Sequence, residues 1–279
     1  MSDVSDRPRH GTRTRVRTHV VEEREVRQRE DTVATEEPLE IRIAAAGQER
    51  SVATTMRTPG DDWDLAAGFL HSEGIVRSPS EIATIRYCAD DQRYNVVTVD
   101  FRRASLPDLD GFERYGTISS ACGVCGTATL DALERDGLLE VPDGSPVSSD
   151  VLTGLPPTLR RSQTVFADTG GLHAAGVFTA DGDLVVLRED VGRHNALDKV
   201  LGWAFLEERL PLVGHVLVLS GRASYELVQK AVVAGIGIVA AVSAPSSLAI
   251  ETAERFGVTL VGFLRGDTFN IYSRPDRIT

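Results

Sequence analysis

Three short, nearly continuous apolar runs, HVLVLS, GIVAAVS and VTLVGFL, restrict the fold more than any other feature of the chain. Runs this short without polar alternation read as strands covered on both faces, and the stretches between them, YELVQKAVVAGI and SLAIETAERFG, space their apolar residues as helices do. Alternation of that kind builds a sheet with helices packed on it. Ahead of it, HAAGVFTA and DLVVLRED read as paired strands. GRHNALDKVLGWAFLEERL then reads as a helix whose Leu197, Val200, Leu201 and Ala204 share one face. The expected order is β-β-α-β-α-β-α-β-β, a three-layer α/β domain over residues 161–279.

The first half has a shorter rhythm. PLEIRIAAAG and RSVATTMRT alternate apolar and polar residues around Gly47, as a hairpin does. Asp61 or Asp62 can cap a helix in which Trp63, Ala66, Phe69 and Leu70 fall on one face and Gly74 supplies the stop. A second strand pair, IATIRYC and YNVVTVDF, completes a ββαββ unit, so residues 35–115 are expected to form a small β-rich α+β domain. Between the two domains, residues 116–160 hold a C-x-x-C segment and VPDGSPVSSDVLTGLPPT, whose turn formers suggest a linker or irregular arm. Residues 1–34 mix Arg, Glu, Asp and Thr with almost no aromatics and are expected to be a disordered tail. The run from Arg13 to Arg17 could serve as an anion patch, but a solvated tail is the preferred reading and no function is assigned to it.

Composition excludes several classes of function. A formal net charge of -11 argues against a nucleic-acid surface, which needs clustered Lys and Arg. No apolar run approaches the roughly 20 residues of a membrane span, and MSDVSDRPRHGTRTR lacks an apolar signal core, so a soluble cytoplasmic protein is expected. Three cysteines, Cys88, Cys122 and Cys125, suit a reducing compartment better than a disulfide framework. Cys88 ends a strand without a nearby Cys or His and reads as a small buried hydrophobe.

ISSACGVCGTATLDALERDG is the most specific local signal. Three readings of its C-x-x-C compete. Structural zinc needs four ligands, and His173 and His194 would have to complete the set. A thioredoxin-like redox pair would open the first helix of a βαβ unit rather than lie between domains. In sulfur carriage, a thiolate attacks a persulfide donor and holds the terminal sulfur. Gly123 and Gly126 suit carriage because, without Cβ atoms, they let a bulky donor or acceptor reach the sulfur.

Elsewhere, GGLHAAG frees the backbone beside His173, and EDVGRHNALDK crowds Glu189, Asp190, Arg193, His194 and Asp198 at a strand-to-helix turn. Asp190 could be a helix cap and His194 a satisfied first-turn residue. Alternatively, His173, Arg193 and His194 could contact an anionic cofactor at the strand ends, where open α/β sheets bind ligands. In SGRASYELVQKAV, Arg222 with the helix start could hold a phosphate, or Ser224 could be an N-cap beside a surface charge. VGFLRGDTFNIYSRP places Arg265, Gly266, Asp267 and Thr268 just past a strand, at a ligand edge or a plain hairpin.

Taken together, ACGVCG, GGLHAAG, EDVGRHNALDKVLG, SGRASYELVQKA, AVSAPSSLAIETAE and LVGFLRGDTFNIYS resemble the FdhD family of formate dehydrogenase accessory sulfurtransferases, from about Pro38 to the C-terminus. The resemblance implies a homodimer with a cytidine-deaminase-like second domain. It also implies that sulfur passes from a cysteine desulfurase to the Mo-bis(molybdopterin guanine dinucleotide) cofactor before that cofactor enters formate dehydrogenase. By the same resemblance Cys122 is the persulfide-bearing nucleophile, Cys125 assists it, and Phe263, Leu264, Arg265, Gly266, Asp267 and Thr268 match the cofactor-binding stretch. No metal of the protein's own is expected. Zinc deaminases use H-x-E with P-C-x-x-C, and the second half has no cysteine, so deamination is set aside. The rival reading is a cofactor-binding chaperone with a structural C-x-x-C, zinc-bound or not.

Overall fold

The computed structural model describes residues 11–88, 94–107 and 140–279. Cys122, Cys125 and their glycines therefore lie outside the described residues. The described residues form a four-stranded sheet, a six-stranded sheet and a separate two-stranded hairpin.

The four-stranded sheet is the expected ββαββ unit. Strands β3 (Glu37–Ala45) and β4 (Gln48–Arg57) turn at Ala46 and Gly47, both at positive φ. After helix α1 (Asp62–Ser72) come β5 (Ile82–Tyr87) and β6 (Val96–Phe101), in the spatial order β4-β3-β6-β5. Leu39, Ile41, Ile43, Val97 and Val99 meet Leu65, Ala66, Phe69 and Leu70 of α1 in one core. Arg57, 1% exposed, makes a bidentate contact to Asp62 (3.1 and 3.0 Å), and the Tyr87 hydroxyl donates to the same carboxylate. This tie locks β4, α1 and β5 together, and it satisfies a charge whose burial alone would be costly.

The second unit follows the expected order: β7 (His173–Phe178), β8 (Leu184–Asp190), α4 (Arg193–Leu206), β9 (Val216–Leu219), α5 (Tyr225–Val233), β10 (Ile238–Ala241), α6 (Ser247–Arg255), β11 (Thr259–Arg265) and β12 (Thr268–Ser273). The sheet runs β12-β11-β10-β9-β7-β8, with β9, β10 and β11 parallel. One detail differs from expectation: the intervening helices do not cover both faces. Helices α4, α5 and α6 all pack on the side of Ala175, Val177, Leu217, Val239 and Leu260. Three adjacent parallel strands taken in sequence order put successive right-handed crossovers on the same side. The other face, with Phe178, Val218, Ala240 and Val261, is covered by Leu152, Leu155 and Leu159.

Those leucines belong to α2 (Ser149–Ser162), which corrects the expected linker. Ser148 accepts from the Val151 amide as N-cap, and the leucine spacing of three and four gives a continuous buried face. Burial of that face outweighs Pro156 and Pro157, which remove two helical N–H donors. A short helix α3 (Thr164–Thr169) follows at once, and its Val165 and Phe166 amides donate to the Glu189 carboxylate.

The expected disordered tail is corrected over residues 11–34; residues 1–10 lie outside the described residues. Strands β1 (Arg13–Glu22) and β2 (Glu25–Ala34) form a ten-residue antiparallel hairpin through Glu23 and Arg24 at φ 49° and 74°. Val and Thr alternate with charges, and Arg17 faces Glu30 across the ladder. A lone hairpin is marginal in water. Here its base is anchored: Arg13 donates to Asp168 (2.7 Å) and to the Thr164 carbonyl (3.1 Å).

The two main units meet along α1 and α4 through backbone contact at Gly68 and Gly202. Around that crossing, Lys199 bonds Asp190 (2.7 Å) and the Thr58 carbonyl (2.8 Å), while the Thr58 amide donates to Asp190 (3.1 Å). Asn195 donates to the Met56 carbonyl (2.7 Å), and Ser72 donates to Asp198 (3.2 Å).

Candidate functional site

Much of the polar cluster in EDVGRHNALDK holds the two units together rather than facing a ligand. Asp190, fully buried, accepts from the Thr58 and Gly192 amides, Asn195 and Lys199. The N-cap of α4 is Gly192, so Asp190 joins the units instead of capping in the usual position. Asp198 pairs with Lys230 at 2.7 and 2.5 Å.

What remains of the predicted set gathers beyond the carboxyl ends of β9 and β10. His173 opens β7, and a Cβ at Gly221 would sit 3.3 Å from its Nδ1, so the imidazole lies on the Ser220–Gly221 turn. Ser220 Oγ accepts from the Ala174 amide at 2.8 Å, which fixes that turn. Burial, followed by the positive charges of Arg193 and Arg222, pushes the His173 imidazole below its ordinary range. His194 is held lower still, at about 3, first by burial and then by Lys230, Arg193 and His173. Its Nε2 lies 3.1 Å from Glu226 and 3.3 Å from Ser224 Oγ. That separation would suit an ion pair, but loss of hydration dominates at such a buried ring, and a neutral Nε2–H donor satisfies the same geometry. Ser224 is the N-cap residue of α5, yet its hydroxyl turns to His194 and makes no capping bond. His173, His194, Arg193 and Arg222 thus share one electrostatic neighbourhood, in which the two arginines carry the positive charge.

Beside it opens a cavity of about 590 Å³, a size suited to small molecules. It is lined by Leu159, Arg160, Gln163, Phe166, Gly170, Gly171, His173, Ser220 and Val242 among others. The Arg160 guanidinium lies over the Phe166 ring at 3.7 Å, giving the wall a flat cationic stack. Gln163, at the joint of α2 and α3, is 3% exposed, and its Nε2 has no hydrogen-bond partner among the described residues. A buried amide donor without a partner is costly unless a ligand or water completes it.

Of the described residues chosen from sequence as site residues, only His173 lines this cavity. Gln163, Arg160 and Phe166 escaped notice because they follow the turn-rich segment and carry no motif or periodic signal of their own. The stretch Phe263–Thr268 connects to the cavity through Val242, whose carbonyl accepts from Arg265 Nε at 2.8 Å. Phe263 is exposed at φ 53°, and its amide donates to Ser243. The Leu264 side chain is fully buried in the core, so only its backbone is open to a ligand role. Gly266 makes the β11–β12 turn at φ 54°, with Asp267 and Thr268 exposed beside it. Cys88 is half-buried at the end of β5 and free, in keeping with a packing role. Among the described residues no group of His, Cys, Asp or Glu could hold a metal ion, and no helix is long and apolar enough to cross a membrane.

Known proteins resemble this chain over nearly its whole length. The sulfur carrier protein FdhD of Nocardia farcinica is 52% identical over 256 residues, 90% of this chain and 89% of that protein. The protein of the same name from Mycobacterium tuberculosis is 50% identical over 90% of this chain and 93% of its own length. That of Sulfolobus acidocaldarius is 43% identical over 89% and 92%. A crystal structure from Desulfotalea psychrophila, assigned as a formate dehydrogenase accessory protein, superposes with a TM-score of 0.74 at 24% identity, covering 96% of this chain and all of the other. The pattern of the FdhD/NarQ family matches residues 34–279, and the chain belongs to that family.

Proposed function

We propose that this protein carries sulfur on Cys122 and delivers it to a Mo-bis(molybdopterin guanine dinucleotide) substrate bound at the cavity edge, in support of formate dehydrogenase. The observation that carries this reading is the C-x-x-C pair at Cys122 and Cys125 in a chain half-identical to proteins named sulfur carriers. The Cys122 thiolate attacks the terminal sulfur of a cysteine desulfurase persulfide. The donor's S–S bond breaks, the desulfurase cysteine leaves as thiolate, and Cys122 becomes the persulfide. For release, Cys125 thiolate attacks the inner sulfur of Cys122. A Cys122–Cys125 disulfide forms, and the terminal sulfur departs with the electron pair as hydrosulfide, ready to bind molybdenum.

The cavity supports the acceptor half of the reading. Its flat Arg160–Phe166 wall suits a planar heterocycle, and Arg193 and Arg222 supply positive potential for phosphates. A homodimer belongs to the same proposal and is tested by light scattering.

Intact-mass measurement after incubation with cysteine desulfurase and cysteine tests the carrier step. The expected result is a gain of one sulfur atom, reversible by reductant and absent in Cys122→Ala. An unmodified wild-type protein that still binds the cofactor would favour a chaperone instead.

A further inference from the structure

Helix α3 carries part of the cavity wall and has little of its own to hold it there. It spans six residues, too few for a stable isolated helix, and Val165 is its one buried residue. A helix usually satisfies its first amides with the side chain of the residue before it. Gln163 makes no such bond and is buried at the cavity wall instead. The donors are met from elsewhere: Glu189 of β8 accepts from the Val165 amide at 3.0 Å and, with its other oxygen, from the Phe166 amide at 2.8 Å. A carboxylate from a strand thus stands in for the N-cap, and Gln163 keeps its side chain for the wall.

Glu189 reaches α3 because of its place in β8. It pairs with Ala174, whose side chain lies in the core beneath α2, whereas Asp190 pairs with His173. Side chains alternate between the faces of a sheet, so the two neighbouring acids leave in opposite directions. Asp190 binds Lys199 and Thr58 at the seam between the units, and Glu189 binds the helix behind the cavity. Lys199 also donates to the Glu189 carbonyl at 3.5 Å, which ties down the backbone between the two acids. Gln163 and Phe166 line the cavity, and Glu189 does not.

We infer that Glu189 is a positioning residue for the acceptor half of the reaction: its carboxylate holds the first turn of α3, and through it Gln163 and Phe166, where a bound acceptor meets them. The inference rests on the cavity reading proposed above and adds a residue that the ligand does not touch. Arg13 holds α3 from the other side, through Asp168 and the Thr164 carbonyl. That ion pair is exposed, at 38% and 55%, and such pairs contribute little. Glu189, and not the arm, is the anchor.

Calorimetric titration with GDP as the probe, hydrogen exchange of α3 and sulfur loading of Cys122 by cysteine desulfurase test this on the full chain. Glu189→Ala is expected to weaken GDP about tenfold and to speed exchange at the Val165 and Phe166 amides, while Cys122 loads sulfur as in wild type. Glu189→Gln keeps a neutral acceptor, about half of the interaction, and should lose about threefold. Arg13→Gln should bind GDP within about twofold of wild type. Wild-type GDP affinity in Glu189→Ala, or unchanged exchange at the two amides, overturns the inference. So does a parallel loss of GDP binding and sulfur loading in both Glu189 variants, which would mark a general loss of the fold. If wild type itself does not bind GDP, the cavity reading falls and the positioning role with it, whereas exchange at the two amides reports separately whether Glu189 holds α3.

Discussion

Gly68 of α1 and Gly202 of α4 are each other's clearance: a Cβ on Gly68 would lie 1.9 Å from the Asp198 carbonyl oxygen, and one on Gly202 1.8 Å from that of Asp64. The helices joining the two units cross backbone to backbone, at a separation no other residue type permits. Alanine is intrinsically the better helix former by about 1 kcal/mol, but here it forces the units apart. Gly68→Ala and Gly202→Ala should each destabilise the protein by about 3 kcal/mol, as overpacking does at its upper range. Urea unfolding monitored by Trp203 fluorescence measures this, and an unchanged midpoint would refute the close crossing.

Lys230 and Asp198 form a buried pair beneath the same crossing. Burial pushes the Lys230 ammonium down, but Asp198, Glu73 and Glu226 together outweigh it and hold its pKa above the ordinary value. Removing the cation alone strands a buried carboxylate. Lys230→Met should therefore cost about 3–5 kcal/mol, and Lys230→Met/Asp198→Leu should recover part of the loss. Additive losses in a double-mutant cycle would mean that the two groups are not coupled.

His194 makes stability depend on pH in one direction. Its folded pKa, about 3, lies below its ordinary 6.5, so between those values the unfolded chain binds a proton that the folded chain refuses. The contribution is fully present above pH 6.5 and is lost as pH falls toward 3, with a limiting slope of about 1.4 kcal/mol per pH unit. His71 and His173, also lowered chiefly by burial, act in the same sense. Unfolding free energy should fall between pH 7 and pH 5, and less steeply in His194→Gln. Parallel curves for the two proteins would show that His194 titrates alike in the folded and unfolded chain.

The two cysteines should separate in kinetics. Cys122→Ala takes up no sulfur, whereas Cys125→Ala loads one atom but lacks the thiolate that releases it, so its persulfide should outlive that of wild type. Time-resolved intact mass without added reductant follows both. Equal lifetimes would remove Cys125 from the release step.

Much of the architecture is legible in the sequence because it depends on period. Apolar alternation in β3 and β4, the face formed by Ala66, Phe69 and Leu70, and the buried runs of β9, β10 and β11 each repeat a local signal several times. The β1–β2 arm hides because most of its residues are polar and its anchors, Asp168 and the Thr164 carbonyl, lie more than 150 residues from Arg13. Helix α2 hides behind Pro156 and Pro157, whose cost is met only by packing on a sheet that has yet to form. His173, Arg193, His194 and Arg222 can be picked out as polar residues near Gly-rich strand ends. A single buried amide such as Gln163 leaves no periodic trace.

The prolines of α2 also bear on how the cavity wall responds to force. Pro156 and Pro157 leave the Leu152 and Thr153 carbonyls without helical donors, so fewer backbone bonds tie the turn carrying Leu159, Arg160 and Gln163 to the turn before it. Its position is dictated by the sheet through Leu155 and Leu159. Displacing this wall would therefore mean separating its leucines from the strands as well as bending a helix.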